Sequence, residues 1–130
     1  MIVGVGIDLV EIDRVKKLLE QPHGERFAER VLTPEERELA SRRGGRWAEY
    51  VAGRFCAKEA VVKALGCGIG RQVGFQDIAV VPDVFGKPVC RLSEAAWSRL
   101  GRSRPLRIHL SITHSATMAS AYAIAEEVHD

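Results

Sequence analysis

The stretch RWAEYVAGRFCAKEAVVKALG, residues 46–66, carries apolar side chains around nearly the whole circumference of a helix. At about 100° per residue, Glu59 lies in the middle of a face shared with Ala48, Ala52, Phe55, Cys56, Val62 and Gly66. Tyr50, Ala57, Val61 and Ala64 line the other side. A helix apolar all round is stable only when it is surrounded, so the remaining chain has to wrap it. Gly66 is the expected C-cap. Glu59 and Lys63 fall one turn apart on this helix. Their simplest role is an i,i+4 ion pair, contributing about 0.2–0.5 kcal/mol.

The wrapping begins with a strand over 2–10. Its odd positions Val3, Val5, Ile7 and Leu9 are branched and apolar, and its even positions are Gly4, Gly6 and Asp8. The pattern reads as a buried strand with two glycines beside a carboxylate, an open backbone surface suited to close approach of a ligand. An unpaired carboxylate there risks several kcal/mol, so a compensating partner is expected. Helical segments follow at 11–21, stopped by Pro22, at 24–32, and from Thr33, an N-cap before Pro34, to the break at Gly44–Gly45. After the long helix comes a glycine-rich connector, CGIGRQVGF. Strands DIAVV and PVCRL are joined by the turn PDVFGK, and SEAAWSRLG is a helix capped by Ser93 and stopped by Gly101. Two strands, LRIHLSITH and MASAYAIAE, complete the chain around the short turn SAT. This order predicts one α+β domain over 1–130, an antiparallel sheet packed on a long central helix.

A formal net charge of +2 is too small to suggest nucleic acid. Cys56, Cys67 and Cys90 have no metal-ligand spacing and read as reduced thiols. The start of the chain lacks a basic n-region, and no run reaches the ~18 apolar residues of a membrane span. A cytoplasmic protein with no membrane partner is expected.

Asp8 and Glu59 could share one hard cation. Magnesium takes one or two protein carboxylates, keeps water, and completes its shell with phosphate oxygens. Lys63, a compact charge beside it, suits a phosphate, and the connector from Gly66 offers backbone N–H groups to the same anion. Separate structural roles for the two acids are the alternative. His114 follows the apolar register of Ile108, Leu110 and Ile112 but stands at a strand end, fit for a structural or a binding role. His23 and His109 carry no assignment. Arg14, Lys17, Arg26 and Arg30 form a basic set beside Leu18 and Phe27, with Lys17 read as ordinary charged surface.

GIDLVEIDRV, RFAERVLT, GRFCAKEAVVKALG, FQDIAV followed by GKP, and LSITHS occur in that order and span nearly the whole chain. Together they resemble the holo-acyl-carrier-protein synthases, the short bacterial 4′-phosphopantetheinyl transferases. The resemblance implies the fold of that family. It also implies transfer of the 4′-phosphopantetheine arm of coenzyme A to a serine of acyl carrier protein in fatty acid biosynthesis, releasing adenosine 3′,5′-bisphosphate. It assigns magnesium to Asp8 and Glu59, coenzyme A phosphate to Lys63, and the nucleotide end to His114, with Gly86, Lys87 and Pro88 in the turn that lines the pocket. Glu59, or a water on the magnesium beside it, is the expected base. Arg14, Arg26 and Phe27 would meet acidic residues of the carrier, with Leu18 and Arg30 alongside. A homotrimer with active sites at subunit clefts is implied as well.

Three features depart from the family pattern. Cys67 stands where Thr or Ser is expected, and Phe85 where a turn-forming Asn is usual. WSRLGRSRP, residues 97–105, reads as a longer surface segment. A magnesium-dependent hydrolase of nucleoside diphosphate compounds would use the same acids but lacks the usual run of glutamates. A non-catalytic binding module would need no metal acids.

Overall fold

A computed structural model describes residues 1–129. The chain runs β1 (Ile2–Glu11), α1 (Ile12–Glu20), α2 (Gly24–Val31), α3 (Pro34–Ala40), α4 (Trp47–Leu65), β2 (Ile78–Pro82), β3 (Pro88–Leu92), α5 (Glu94–Leu100), β4 (Leu106–His114) and β5 (Met118–Glu127). Short 3₁₀ turns, Gly44–Arg46 and Phe75–Asp77, precede α4 and β2. Strands β1, β5 and β4 form an antiparallel sheet in that order, and β2 pairs with β3 in a separate hairpin. The α+β reading holds. Among the described residues no helix is long and apolar enough to cross a membrane.

Local signals account for the helix ends. Thr33 Oγ1 accepts from the Glu36 N–H, and Glu36 Oε1 accepts from the Thr33 N–H, a reciprocal capping box at the start of α3. Ser93 caps α5 through the Ala96 N–H. Gly66 ends α4 at φ +78°, a conformation that side chains with a Cβ rarely adopt.

Helix α4 lies across the sheet, and the small residues below it explain how. Ala119, Ala121, Ala123 and Ala125 of β5 are buried, opposite Val10, Asp8, Gly6 and Gly4 of β1 respectively. A Cβ on Gly4 would fall 1.8 Å from the Ala64 carbonyl oxygen, and one on Gly6 1.9 Å from that of Ala60. The two glycines therefore admit the helix backbone, not a ligand, which corrects the open-surface reading. The odd positions were expected to lie in a buried strand. Instead Val5, Ile7 and Leu9 are 51%, 55% and 62% exposed, beside the exposed Tyr122.

The helix itself is enclosed as its composition demands, with Val51, Ala52, Cys56, Ala57, Ala60, Val61 and Val62 fully buried. One feature was not legible in the sequence. Lys58 is completely buried and pairs at 2.7 Å with Glu36, also completely buried. Burial lowers the Lys58 pKa, and Glu36 opposes that shift.

Candidate active site

Two strand residues advance about 6.6 Å and four helix residues about 6 Å. The antiparallel contacts Gly4 to Ala64 and Gly6 to Ala60 thus place the next even position, Asp8, at the level of Cys56, three residues and just under one turn before Glu59. The electrostatics agree. Burial raises the Glu59 pKa, the Asp8 charge raises it further, and Lys63 opposes both. The Cys56 thiol is pushed up to about 12 by burial, then by Asp8 and Glu59. Lys63 Nζ donates to Asp8 Oδ1 and to the Ile7 carbonyl, each at 3.0 Å. It spans helix and strand and does not form the i,i+4 pair with Glu59 that the helix alone suggests. Asp8 is mostly buried and Lys63 half-exposed.

The donor set fits a hard dication. Two carboxylates repel one another at a partly buried edge, and a cation between them reverses the penalty. Among the described residues no group of three or more His, Cys, Asp or Glu side chains is placed to hold a metal. A metal here would have two protein carboxylates and take its other ligands from water or substrate, which is how magnesium is held.

One cavity adjoins this edge of α4, and a second lies against the helix's N-terminal half. The first, of about 270 Å³, is lined by Asp8, Arg14, Leu18, Phe27 and Phe55 and so joins the strand acid to the basic helices. Arg26 and Arg30 lie exposed on α2, the helix that carries Phe27. The other, of about 350 Å³, is lined by Arg43, Tyr50, Arg54, Gly86, Pro88 and His114, among others. Gly86 adopts φ +83° in the β2–β3 turn, where Asp83 Oδ1 accepts from the N–H groups of Phe85 and Lys87. Asp83 thus fixes the turn without an Asn at 85, and Phe85 points to solvent, 91% exposed. Lys87 lines a neighbouring cavity with Trp97 and does not line this one. His114 Nδ1 lies 2.9 Å from Glu49 Oε1. Gly66 stands exposed at the start of the connector. Cys67 is half-buried, and burial raises its thiol pKa. Segment 97–105 runs from α5 into a loop whose Arg102 and Arg104 pair with Glu127.

Arg54 and Arg43 were not singled out in the sequence. The guanidinium of Arg54 sits 4.5 Å from the Tyr50 ring centroid and that of Arg43 5.2 Å. Arg54 is 8% exposed, and its Nε has no hydrogen-bond partner among the described residues. Arg54 also lines the cavity of about 350 Å³, so a mostly buried cation with an unused donor borders it, an arrangement suited to an anion. The only available signal was an arginine in a mostly apolar helix that also carries Glu49, Lys58, Glu59 and Lys63.

Comparison with known proteins identifies the family. The family model described as the 4′-phosphopantetheinyl transferase superfamily matches residues 4–125. A holo-[acyl-carrier-protein] synthase of Geobacillus kaustophilus is 46% identical over 98% of this chain and 92% of its own. A crystal structure of a holo-(acyl-carrier-protein) synthase from Bacillus anthracis in complex with CoA (3′,5′-ADP) superposes with TM-score 0.81 at 44% identity, covering 98% of this chain and 97% of that one. The Neisseria meningitidis holo-[acyl-carrier-protein] synthase gives 0.86 at 37% identity, covering 97% and 99%. With the family's motifs in order along one chain and its fold reproduced throughout, this protein belongs to the 4′-phosphopantetheinyl transferase superfamily.

Proposed function

We propose that this chain transfers the 4′-phosphopantetheine arm of coenzyme A to a serine of an acidic acyl carrier protein in the cytoplasm, within fatty acid biosynthesis, with adenosine 3′,5′-bisphosphate as the other product. The observation that carries the reading is the meeting of Asp8, Glu59 and Lys63 on the shared edge of β1 and α4. Asp8 and Glu59 would hold magnesium, which supplies positive charge to the diphosphate and draws electron density from its β-phosphorus.

Lys63 is half-exposed and held only through Asp8 and one carbonyl, so it can turn to a phosphate oxygen at small cost. In the connector after Gly66 the N–H groups of Cys67 and Gly70 already donate to the Val62 and Val73 carbonyls, which leaves those of Gly68 and Ile69 to offer the same anion a donor. His114, Gly86 and Pro88 take the nucleotide end, and Lys87 braces the turn from its outer side. Arg54 and Arg43 supply a cationic wall for the nucleotide's phosphate. The attacking serine gives its proton to Glu59, directly or through an intervening water.

Arg14, Arg26 and Arg30, beside Leu18 and Phe27, form the docking face and steer an acidic carrier toward Asp8. The exposed apolar face of Val5, Ile7, Leu9 and Tyr122 is what neighbouring copies cover in a homotrimer with active sites at the subunit clefts. Analytical ultracentrifugation showing a monomer at working concentrations would remove that part.

Incubating the protein with coenzyme A, magnesium and apo carrier protein, then weighing the carrier, tests the activity. The carrier is expected to gain one phosphopantetheine only when magnesium is present. Release of the bisphosphate with the carrier unmodified identifies a hydrolase and overturns the assignment.

A further inference from the structure

The last carbonyls of a helix have no partner within it, and in α2 they are taken by side chains from two other segments. Gln76 Nε2, in the 3₁₀ turn before β2, lies 2.8 Å from the Glu29 carbonyl, 3.2 Å from that of Arg30 and 2.8 Å from that of Leu32. Lys58 Nζ reaches the remaining one, Val31, at 2.7 Å, and also holds Glu36 and the Phe75 carbonyl. The turn that carries Gln76 is itself fixed. Its Asp77 carboxylate accepts from the Gly74 N–H at 2.9 Å, Ser93 Oγ at 2.7 Å and Arg99 at 2.7 Å.

Helix α2 depends on this clamp. It has eight residues, and its N-cap, His23, makes no side-chain capping bond. A helix so short is marginal by itself. Lys58 immediately precedes Glu59 in the sequence, so the clamp joins the end of α2 to the turn of α4 that carries the candidate metal acid. A row of rings parallels it, Phe27 to Phe55 at 6.3 Å and Phe55 to Phe75 at 5.7 Å between centroids.

We propose that Gln76 and Lys58 are positioning residues for carrier docking: by holding the carbonyl end of α2, they set Arg26, Phe27 and Arg30 at a fixed distance from Glu59. This rests on the reading of α2 as the carrier face. The serine to be modified arrives on a macromolecule held through α2, so a shift of that helix displaces the nucleophile from the diphosphate. The cavity assigned to the nucleotide end of coenzyme A, lined by Arg43, Arg54 and His114, is lined by neither Gln76 nor Lys58. Loss of Gln76 therefore bears on the carrier and leaves the nucleotide contacts in place.

Gln76 is exposed and suits the test, because its replacement leaves the core intact. Gln76→Glu keeps the shape but presents acceptors to carbonyls, whereas Gln76→Ala removes the contact. Steady-state kinetics of the intact protein with coenzyme A, magnesium and apo carrier should show KM for carrier raised about 5- to 10-fold in Gln76→Ala, as expected for lost hydrogen bonds, and more in Gln76→Glu. KM for coenzyme A should stay within about twofold, and Lys58→Arg should keep more carrier affinity than Lys58→Met. An unchanged carrier KM in Gln76→Glu overturns the proposal, and so does a parallel rise in both KM values. Arg26→Glu is run alongside. If it leaves carrier KM unchanged, the docking face and the clamp both fall. If it raises carrier KM and Gln76→Glu does not, the clamp alone falls.

Discussion

Helix α4 carries two lysines five positions apart, and each reaches a carboxylate on another element. Lys58 meets Glu36 at 2.7 Å with both side chains fully buried, whereas Lys63 meets Asp8 at 3.0 Å with the lysine half-exposed. The first pair is closed chemically as well as sterically. Lys58 also donates to the Val31 and Phe75 carbonyls, and Glu36 also accepts from the N–H groups of Thr33 and Val80. The second pair stands open beside Glu59, a carboxylate that Lys63 does not neutralise directly. A sealed pair cannot change partners without stranding a charge in the interior. An open pair can exchange a carboxylate for a phosphate at a cost of about 1 kcal/mol or less. The same two functional groups therefore make scaffold in one place and, in the proposed function, binding machinery in the other, and solvent access separates the two.

The most severe way to probe the open side is Glu59→Gln. Transfer to carrier, followed by mass, should fall about 10³-fold or more. The thermal midpoint should stay close to the parent's, and near-normal turnover would falsify the role given to that edge. Next comes the sealed side. Lys58→Met leaves Glu36 buried without its counter-charge, and urea unfolding should lose about 3–5 kcal/mol. Lys63→Met should lose only about 0–1 kcal/mol of stability while impairing transfer. Equal stability losses in the two variants would break the contrast.

The smallest effect tests a partly exposed pair in the clamp's own turn. Burial pushes the Asp77 carboxyl up, but the Gly74 N–H, the Ser93 hydroxyl and Arg99 together hold it below its ordinary value of 3.8. A depressed folded-state pKa gives stability that is present above the unfolded value and is lost as pH falls through the folded one. Asp77→Asn should therefore cost about 1 kcal/mol or less near neutral pH, reduced by solvent screening at Arg99. That difference should shrink below the ordinary carboxylate range. Denaturant titrations at several pH values measure it, and a difference that grows toward acid contradicts the assignment.

Part of the site was legible in single segments. The acid after two glycines, the Glu and Lys one turn apart, and a histidine ending an apolar strand face are each visible in a short window. The cationic wall was harder to see. Arg54 is marked only by being an arginine in a mostly apolar helix, and Arg43 sits in a polar stretch where no periodicity distinguishes it. Lys58 and Glu36 looked like ordinary charges because each sits among other charged residues along its own segment. Their burial depends on three segments converging, α3, α4 and the turn before β2.

By itself the sequence determined the order and type of the elements, because capping residues, glycine stops and hydrophobic periods act within a few residues. It also determined that α4 must be surrounded. Tertiary structure alone decided what each face meets. A period-2 strand pattern says that two faces differ, not which one a helix will cover, and here the glycine face took the helix while the branched face stayed exposed. The reason is steric: close approach of two backbones is set jointly by both surfaces, and a pattern in either one leaves it undetermined.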